Sequence, residues 1–225
     1  MAVIFNDTFT GSNGTQLQSH APDTGTSWTR LWGSDANIDW VITSNMANPE
    51  GVADGGSLYT ADATYPSANY ELQYTFVGAP AAGGGVRCTY YLLRVQDVDN
   101  MYALRIGLAN SASQAQIYKK VSGSWSTIGS AFTSPALGSV VKFQINGSTL
   151  KVFDDAAEIA SETDTAISAA GKAGIGAGGG AELVTSTDDS YATNVIDAFS
   201  VNDLGAGAST AVPVFMHHYQ FNLGR

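Results

Sequence analysis

Four aromatic residues in this sequence, Trp32, Trp40, Tyr65 and Trp125, are of the kind that can hold a sugar ring. A flat indole or phenol face stacks on the apolar face of a pyranose, while neighbouring Asn, Asp or Gln side chains meet its hydroxyls. The same residue types fill the cores of β-sandwiches, so a packing role stands beside the glycan-binding one for each. A second group is Asp7 and Asp197, because each interrupts an apolar stretch, VIFNDTFT and NVIDAFSV. Two carboxylates brought together repel unless protonated or bridged by a cation, and Ca²⁺ accepts carboxylate and backbone oxygens in such a setting. The plainer alternative is that both aspartates face solvent or cap turns.

Other chemistries find no support. His20, His217 and His218 are too few and too separated for a histidine metal site, and a surface position is expected for each. Cys88 lies in an apolar run without a Cys/His signature, which predicts an inert buried thiol. Asp97-Val98-Asp99-Asn100 lacks the glycine and trailing glutamate of an EF-hand loop and reads as a turn. The Gly83–Gly85 and Gly178–Gly180 runs lack the lysine or following helix of a phosphate-binding loop.

The elements that must position these residues are strands. Short β-type runs alternate with Gly, Pro, Asn and Asp, and no long stretch has helical period, which predicts an all-β, two-sheet antiparallel sandwich. Tyr70, Leu72, Tyr74 and Phe76 alternate with Glu71, Gln73 and Thr75, the pattern of a strand buried on one face. Hairpins are predicted for Val86–Val95 with Met101–Leu108, and for Ser139–Ile145 with Thr149–Phe153 across Asn146-Gly147-Ser148. Leu17–Trp40 reads as a long loop with short strand pieces. With 225 residues, one sandwich ending near Leu204 accommodates most of the chain.

A formal charge of −10, from 10 Lys and Arg against 20 Asp and Glu, excludes nucleic acid and anionic membrane surfaces as natural partners. No window approaches the 18 apolar residues of a membrane span, and MAVIFNDTFTG is not a signal sequence. The expectation is a disulfide-free protein made in a cytoplasm.

In order along the chain, FNDTF at Phe5–Phe9, Trp28, YELQYTF from Tyr70, VRCTYYLLRV and DNMYALRI through Ile106, VVKFQINGSTLKVFDD from Val140, GKAGIG from Gly171 and IDAFSV from Ile196 resemble the concanavalin A-like lectin/glucanase superfamily. The resemblance covers about residues 3–203 and implies a jelly-roll in which the first and last strands lie side by side, pairing Phe5–Phe9 with Ile196–Val201. That pairing would bring Asp7 near Asp197, where the superfamily often keeps a structural calcium; no other cofactor is expected. Its retaining glucanases carry a Glu-X-Asp-X-(X)-Glu strand, with the two reacting carboxyl groups about 5–5.5 Å apart. This chain has no such motif: Glu50, Glu71, Glu158, Glu162 and Glu182 are scattered, and the adjacent side chains of Asp154 and Asp155 diverge. The expectation is a protein without catalytic activity.

After Leu204 the chain changes character. Residues 205–211 are a small-residue linker, and residues 212–225 concentrate Val212, Val214, Phe215, Met216, Tyr219, Phe221 and Leu223. A tail this apolar is expected to dock, either on a partner or back on its own domain, and the partner reading is preferred. An acidic sandwich with a docking tail is similar in style to structural proteins of tailed bacteriophages. The resemblance implies a lectin-like virion protein, a head decoration or tail fibre, that contacts other virion proteins or further copies of itself and binds glycans weakly. A free-standing lectin is the alternative, and a polysaccharide hydrolase a weaker one. Light scattering on the full chain and on a version ending at Leu204 tests the tail. A defined oligomer that becomes a monomer on truncation is the expected result, and two monomers exclude self-assembly through the tail.

Overall fold

The computed structural model describes residues 1–33, 39–50, 56–77, 88–108, 111–178 and 195–205. The docking residues Val212, Val214, Phe215, Met216, Tyr219, Phe221 and Leu223, and the side chain of Cys88, lie outside the described residues.

Strand formation follows the apolar alternation and the turn residues between runs. In chain order the strands are β1 (Ala2–Asp7), β2 (Thr15–Gln16), β3 (Ser27–Trp32), β4 (Asp39–Thr43), β5 (Met46–Glu50), β6 (Gly56–Asp62), β7 (Tyr70–Phe76) and β8 (Cys88–Asp97). They continue with β9 (Asn100–Leu108), β10 (Ser111–Val121), β11 (Ser124–Thr133), β12 (Val140–Asn146), β13 (Thr149–Asp154), β14 (Ala157–Thr163), β15 (Lys172–Gly178) and β16 (Ile196–Asp203). A single 3-10 turn, Leu17–Ser19, is the only helical piece among the described residues.

All pairings are antiparallel, and they build two sheets. Sheet A runs β14-β13-β12-β7-β16-β5-β4-β2, with β1 also on β16; sheet B runs β11-β10-β9-β8-β15-β6-β3. The predicted all-β sandwich and its two named hairpins are present: β8 turns into β9 at Asp97↔Asn100, and β12 into β13 at Asn146↔Thr149. The terminal strands pair as the resemblance implies, with Phe5 opposite Val201 and Asp7 opposite Phe199. β3 is one of the short strand pieces expected in its stretch, whereas β5 and β14 lie where no strand was expected. β3 falls within Leu17–Trp40, β5 follows a tight turn at Ser44-Asn45 in which both residues have positive φ, and β14 follows Asp154-Asp155.

The core lies between the sheets. Leu72, Tyr74, Phe143, Ile145, Val152 and Val201 of sheet A face Tyr59, Tyr91, Leu93, Tyr102, Leu104 and Ile175 of sheet B, all buried. At its centre Tyr74 and Tyr91, one from each sheet, stack with ring centroids 3.7 Å apart.

Sheet B also carries an apolar cluster on its other face, made by Leu58, Tyr90, Leu92, Val95, Met101, Ala103 and Tyr118. Strand β15 can run between two layers of large side chains because it presents glycines to this second cluster. A Cβ on Gly174 would stand 2.1 Å from the Tyr59 carbonyl oxygen, and one on Gly176 2.3 Å from Leu58 Cδ2. Backbone cannot move aside as a flexible side chain can. Gly174→Ala is therefore expected to cost roughly 2–3 kcal/mol in urea denaturation, while Ser126→Ala on exposed β11 stays within about 0.5 kcal/mol.

Candidate functional site

The rows of residues across the second face of sheet B are fixed by strand register. One row runs Gln116, Arg105, Tyr90, Gly176, Leu58, Trp32, each opposite the next. The next holds Tyr118, Ala103, Leu92, Gly174 and Thr60. A third begins Trp125, Lys120, Met101. Side chains on one face of a strand recur at every second residue, so the alternations Tyr90/Leu92, Ala103/Arg105 and Gln116/Tyr118/Lys120 place these groups together.

Trp32 and Trp125, two of the four aromatics expected to bind sugar, stand on this face, half-buried at opposite margins. Trp125 is set by its neighbours: it stacks on Tyr90 at 6.3 Å, meets Tyr118 edge-on at 6.5 Å, and has the Lys120 ammonium 5.7 Å from its ring centroid. Lys120 donates to the Val98 carbonyl at 2.9 Å and pairs with Asp99 at 3.3 Å. Gln116 spends its amide on the Ile128 and Gly129 carbonyls, which holds β11 against β10. Trp125 rises from edge strand β11, but its ring reaches Tyr90 of β8, three strands in; Trp32 is carried by the other edge strand, β3, three strands beyond β8.

The other two aromatics stand elsewhere, and burial corrects the reading of Trp40. Trp40 has no exposure and belongs to the inter-sheet core. Tyr65 packs against that core beside Tyr70, its hydroxyl donating to the Ala61 carbonyl and accepting the Ala173 N–H, both at 2.9 Å. It brackets β6 to β15.

Asp99 stands beside Lys120 near Trp125, and Asp62 continues the Leu58/Thr60 alternation of β6, opposite Ser27 of β3. Burial pushes the Asp62 carboxyl up, but hydrogen bonds from Lys172 at 2.6 Å and from Thr29 and Thr60 outweigh this and hold it below its ordinary value. An acid held ionised in this way is unsuited to protonating a leaving group at neutral pH.

Asp7 has a role the sequence reading did not anticipate. The carboxylate is fully buried and accepts the Phe9 N–H at 2.7 Å, His20 Nε2 at 2.9 Å and the Trp28 indole N–H at 2.6 Å. His20, expected at the surface, is a buried partner with its side chain only 7% exposed. Asp197 is half-buried, on the far side of a bulge in β16 from Asp7's partner Phe199, and pairs in register with Thr75. The expected calcium pair is thus replaced by a carboxylate whose oxygens are already met by N–H donors. Among the described residues no group of three His, Cys, Asp or Glu is placed to hold a cation.

No protein-family model and no curated protein sequence matches this chain. Solved structures do. The carbohydrate-binding module CBM66 of Bacillus subtilis is similar at 18% identity and a TM-score of 0.57, over 78% of this chain and 95% of that one. The β-glucanase of Bacillus licheniformis is similar at 11% identity and a TM-score of 0.54, over 90% and 99%. The exoplasmic/lumenal domain of VIP36, in a Ca²⁺- and mannose-bound form, is similar at 12% identity and a TM-score of 0.53, over 83% and 85%. These likenesses show the concanavalin A-like lectin/glucanase fold.

Removing the Asp7 carboxylate would strand three buried donors at once. Asp7→Ala is expected to destabilise the protein by about 3–5 kcal/mol. Equilibrium denaturation checks this, and a loss under about 1 kcal/mol would show that the network contributes little.

Proposed function

We propose that this chain is a non-catalytic, lectin-like protein that binds glycans through the half-buried indoles of Trp32 and Trp125, carried by the two edge strands of sheet B. The observation that carries the reading is that Trp32 and Trp125 keep partial exposure on one face of sheet B while the residues between them are buried. Indole faces supply the apolar contact a sugar ring needs, and two contacts on one face favour a chain of sugars over a monosaccharide because the second contact forms intramolecularly. The names of two structural neighbours, a carbohydrate-binding module and a mannose-bound domain, support the same class of ligand.

The hydrolase alternative draws on the β-glucanase likeness. It requires two carboxyl groups converging on a sugar, one of them protonated. Asp62 and Asp99, the carboxylates described near this face, are ion-paired with Lys172 and Lys120. That arrangement favours binding over cleavage.

Display on a virion, with residues 212–225 contributing the anchor, belongs to the same proposal and rests on the composition of the chain. A glycan array followed by titration of the best polysaccharide tests the binding surface. Trp125→Ala and Trp32→Ala are each expected to weaken binding about tenfold, which is about 1.4 kcal/mol, without release of reducing ends. Hydrolysis abolished by replacing one acidic residue would overturn the reading.

A further inference from the structure

A second polar site lies away from this face, at the end of the sandwich where β7 begins. It is a cleft of about 260 Å³ whose walls include Asn69, Arg94, Ser148, Asp164, Thr165 and Ser168. Arg94 sits at a bulge in β8 with positive φ, and the residue is only 2% exposed. Its guanidinium is held by main-chain carbonyls alone: Nε donates to Ala68 at 2.9 Å, Nη1 to Ile167 at 2.7 Å and Nη2 to Gly147 at 2.8 Å. These bonds use three of the five N–H groups of an arginine. Carbonyl dipoles orient the group without cancelling its charge, and no carboxylate among the described residues forms an ion pair with it.

The acid nearest to hand is already committed. Asp164, in the same cleft, is paired with Lys119 and accepts the Tyr102 hydroxyl and the Ala166 N–H, both at 2.8 Å. Burial pushes its carboxyl up, but the Lys119 bond and those two donors outweigh this and keep it below its ordinary value. Among the described residues Arg94 therefore remains a desolvated cation without a counter-ion, and burial pushes its guanidinium down from its ordinary value. Removing a charge from water without pairing it is costly, and an incoming anion would offset that cost. The remaining walls suit a polyol: Ser148, Thr165 and Ser168 bring hydroxyls, while the Asn69 amide is bonded to Gly147 N–H and the Gly205 carbonyl and braces the wall. The volume is below the roughly 300–1,000 Å³ of pockets that enclose drug-sized ligands, so the cleft takes a group about the size of one ring.

We infer that the Arg94 cleft is a subsite for an acidic sugar residue, with the guanidinium receiving a carboxylate and the hydroxyl-bearing walls receiving the ring. The inference rests on the glycan-binding reading for the ring and on Arg94 alone for the charge.

Titration of the full chain with glucuronate and galacturonate, against glucose, galactose and acetate, followed by NMR chemical shifts, tests it. The uronates are expected to bind at least tenfold more tightly than the neutral sugars and than acetate. Arg94→Gln should abolish this, and Ser168→Trp, which fills the mouth while leaving the Arg94 contacts in place, should do the same in a folded protein. Equal binding of acidic and neutral sugars, acetate as good as a uronate, or uronate binding that survives Ser168→Trp would overturn the inference. If uronate binding is lost in Trp125→Ala and kept in Ser168→Trp, the ligand belongs to sheet B; the glycan-binding reading then stands and this one falls.

Discussion

A carboxylate buried in an aromatic core is stable only if its oxygens are filled, and Asp7 makes that demand at the point where the two sheets meet. Its three donors come from the segment just after β1, from the stretch after the 3-10 turn, and from β3. Because β1 lies in sheet A and β3 in sheet B, the Asp7 to Trp28 bond is a polar tie across the sandwich. Phe5, Phe9 and Phe199 close around the Trp28 indole with centroids 4.9 to 6.2 Å away. The charge thus selects one arrangement of four large aromatics, which apolar packing alone would permit in several.

The candidate binding face depends on that arrangement at one remove. β3 is the edge strand that carries Trp32, and Trp28 anchors β3 to the core. The opposite margin is fixed differently, by Gln116 holding the β11 backbone and by Tyr90 and Tyr118 bracing Trp125. Between them the glycines of β15 let large side chains close over the sheet, so sheet B is packed on both faces.

Much of this was legible in the sequence and some of it could not be. Period-two alternation at Tyr70–Phe76 and the Asn146-Gly147 turn are local signals, and both elements appear where they were read. β5, with Pro49 inside it, and β14, with mostly polar and exposed side chains, lack that alternation and were missed. The turn before β5 uses Ser44 and Asn45 at positive φ, where a glycine would have announced it. Asp7 and Arg94 are each conspicuous as charges inside apolar runs. Their partners are not: His20 and Trp28 lie 13 and 21 residues from Asp7, and the carbonyls around Arg94 come from positions 68, 147 and 167. Hence a carboxylate that resembled half of a metal site proved to be a hydrogen-bonding centre, and the cleft was not foreseen.

The position of β16 has a consequence for how the protein is made. β16 lies inside sheet A, pairing with β7, β5 and β1, so the sheet is open along a line through its middle until residues 196–203 exist. Partners as far apart as Asp7 and Phe199 cannot meet earlier. At about 5–20 residues per second, a ribosome takes roughly 10–40 s to make the intervening stretch. During that time the edges of β1 and β7 face water with unpaired backbone groups, a template for joining the wrong chain. Folding of this sandwich in that sense waits on one late strand, which closes a gap left by all the others.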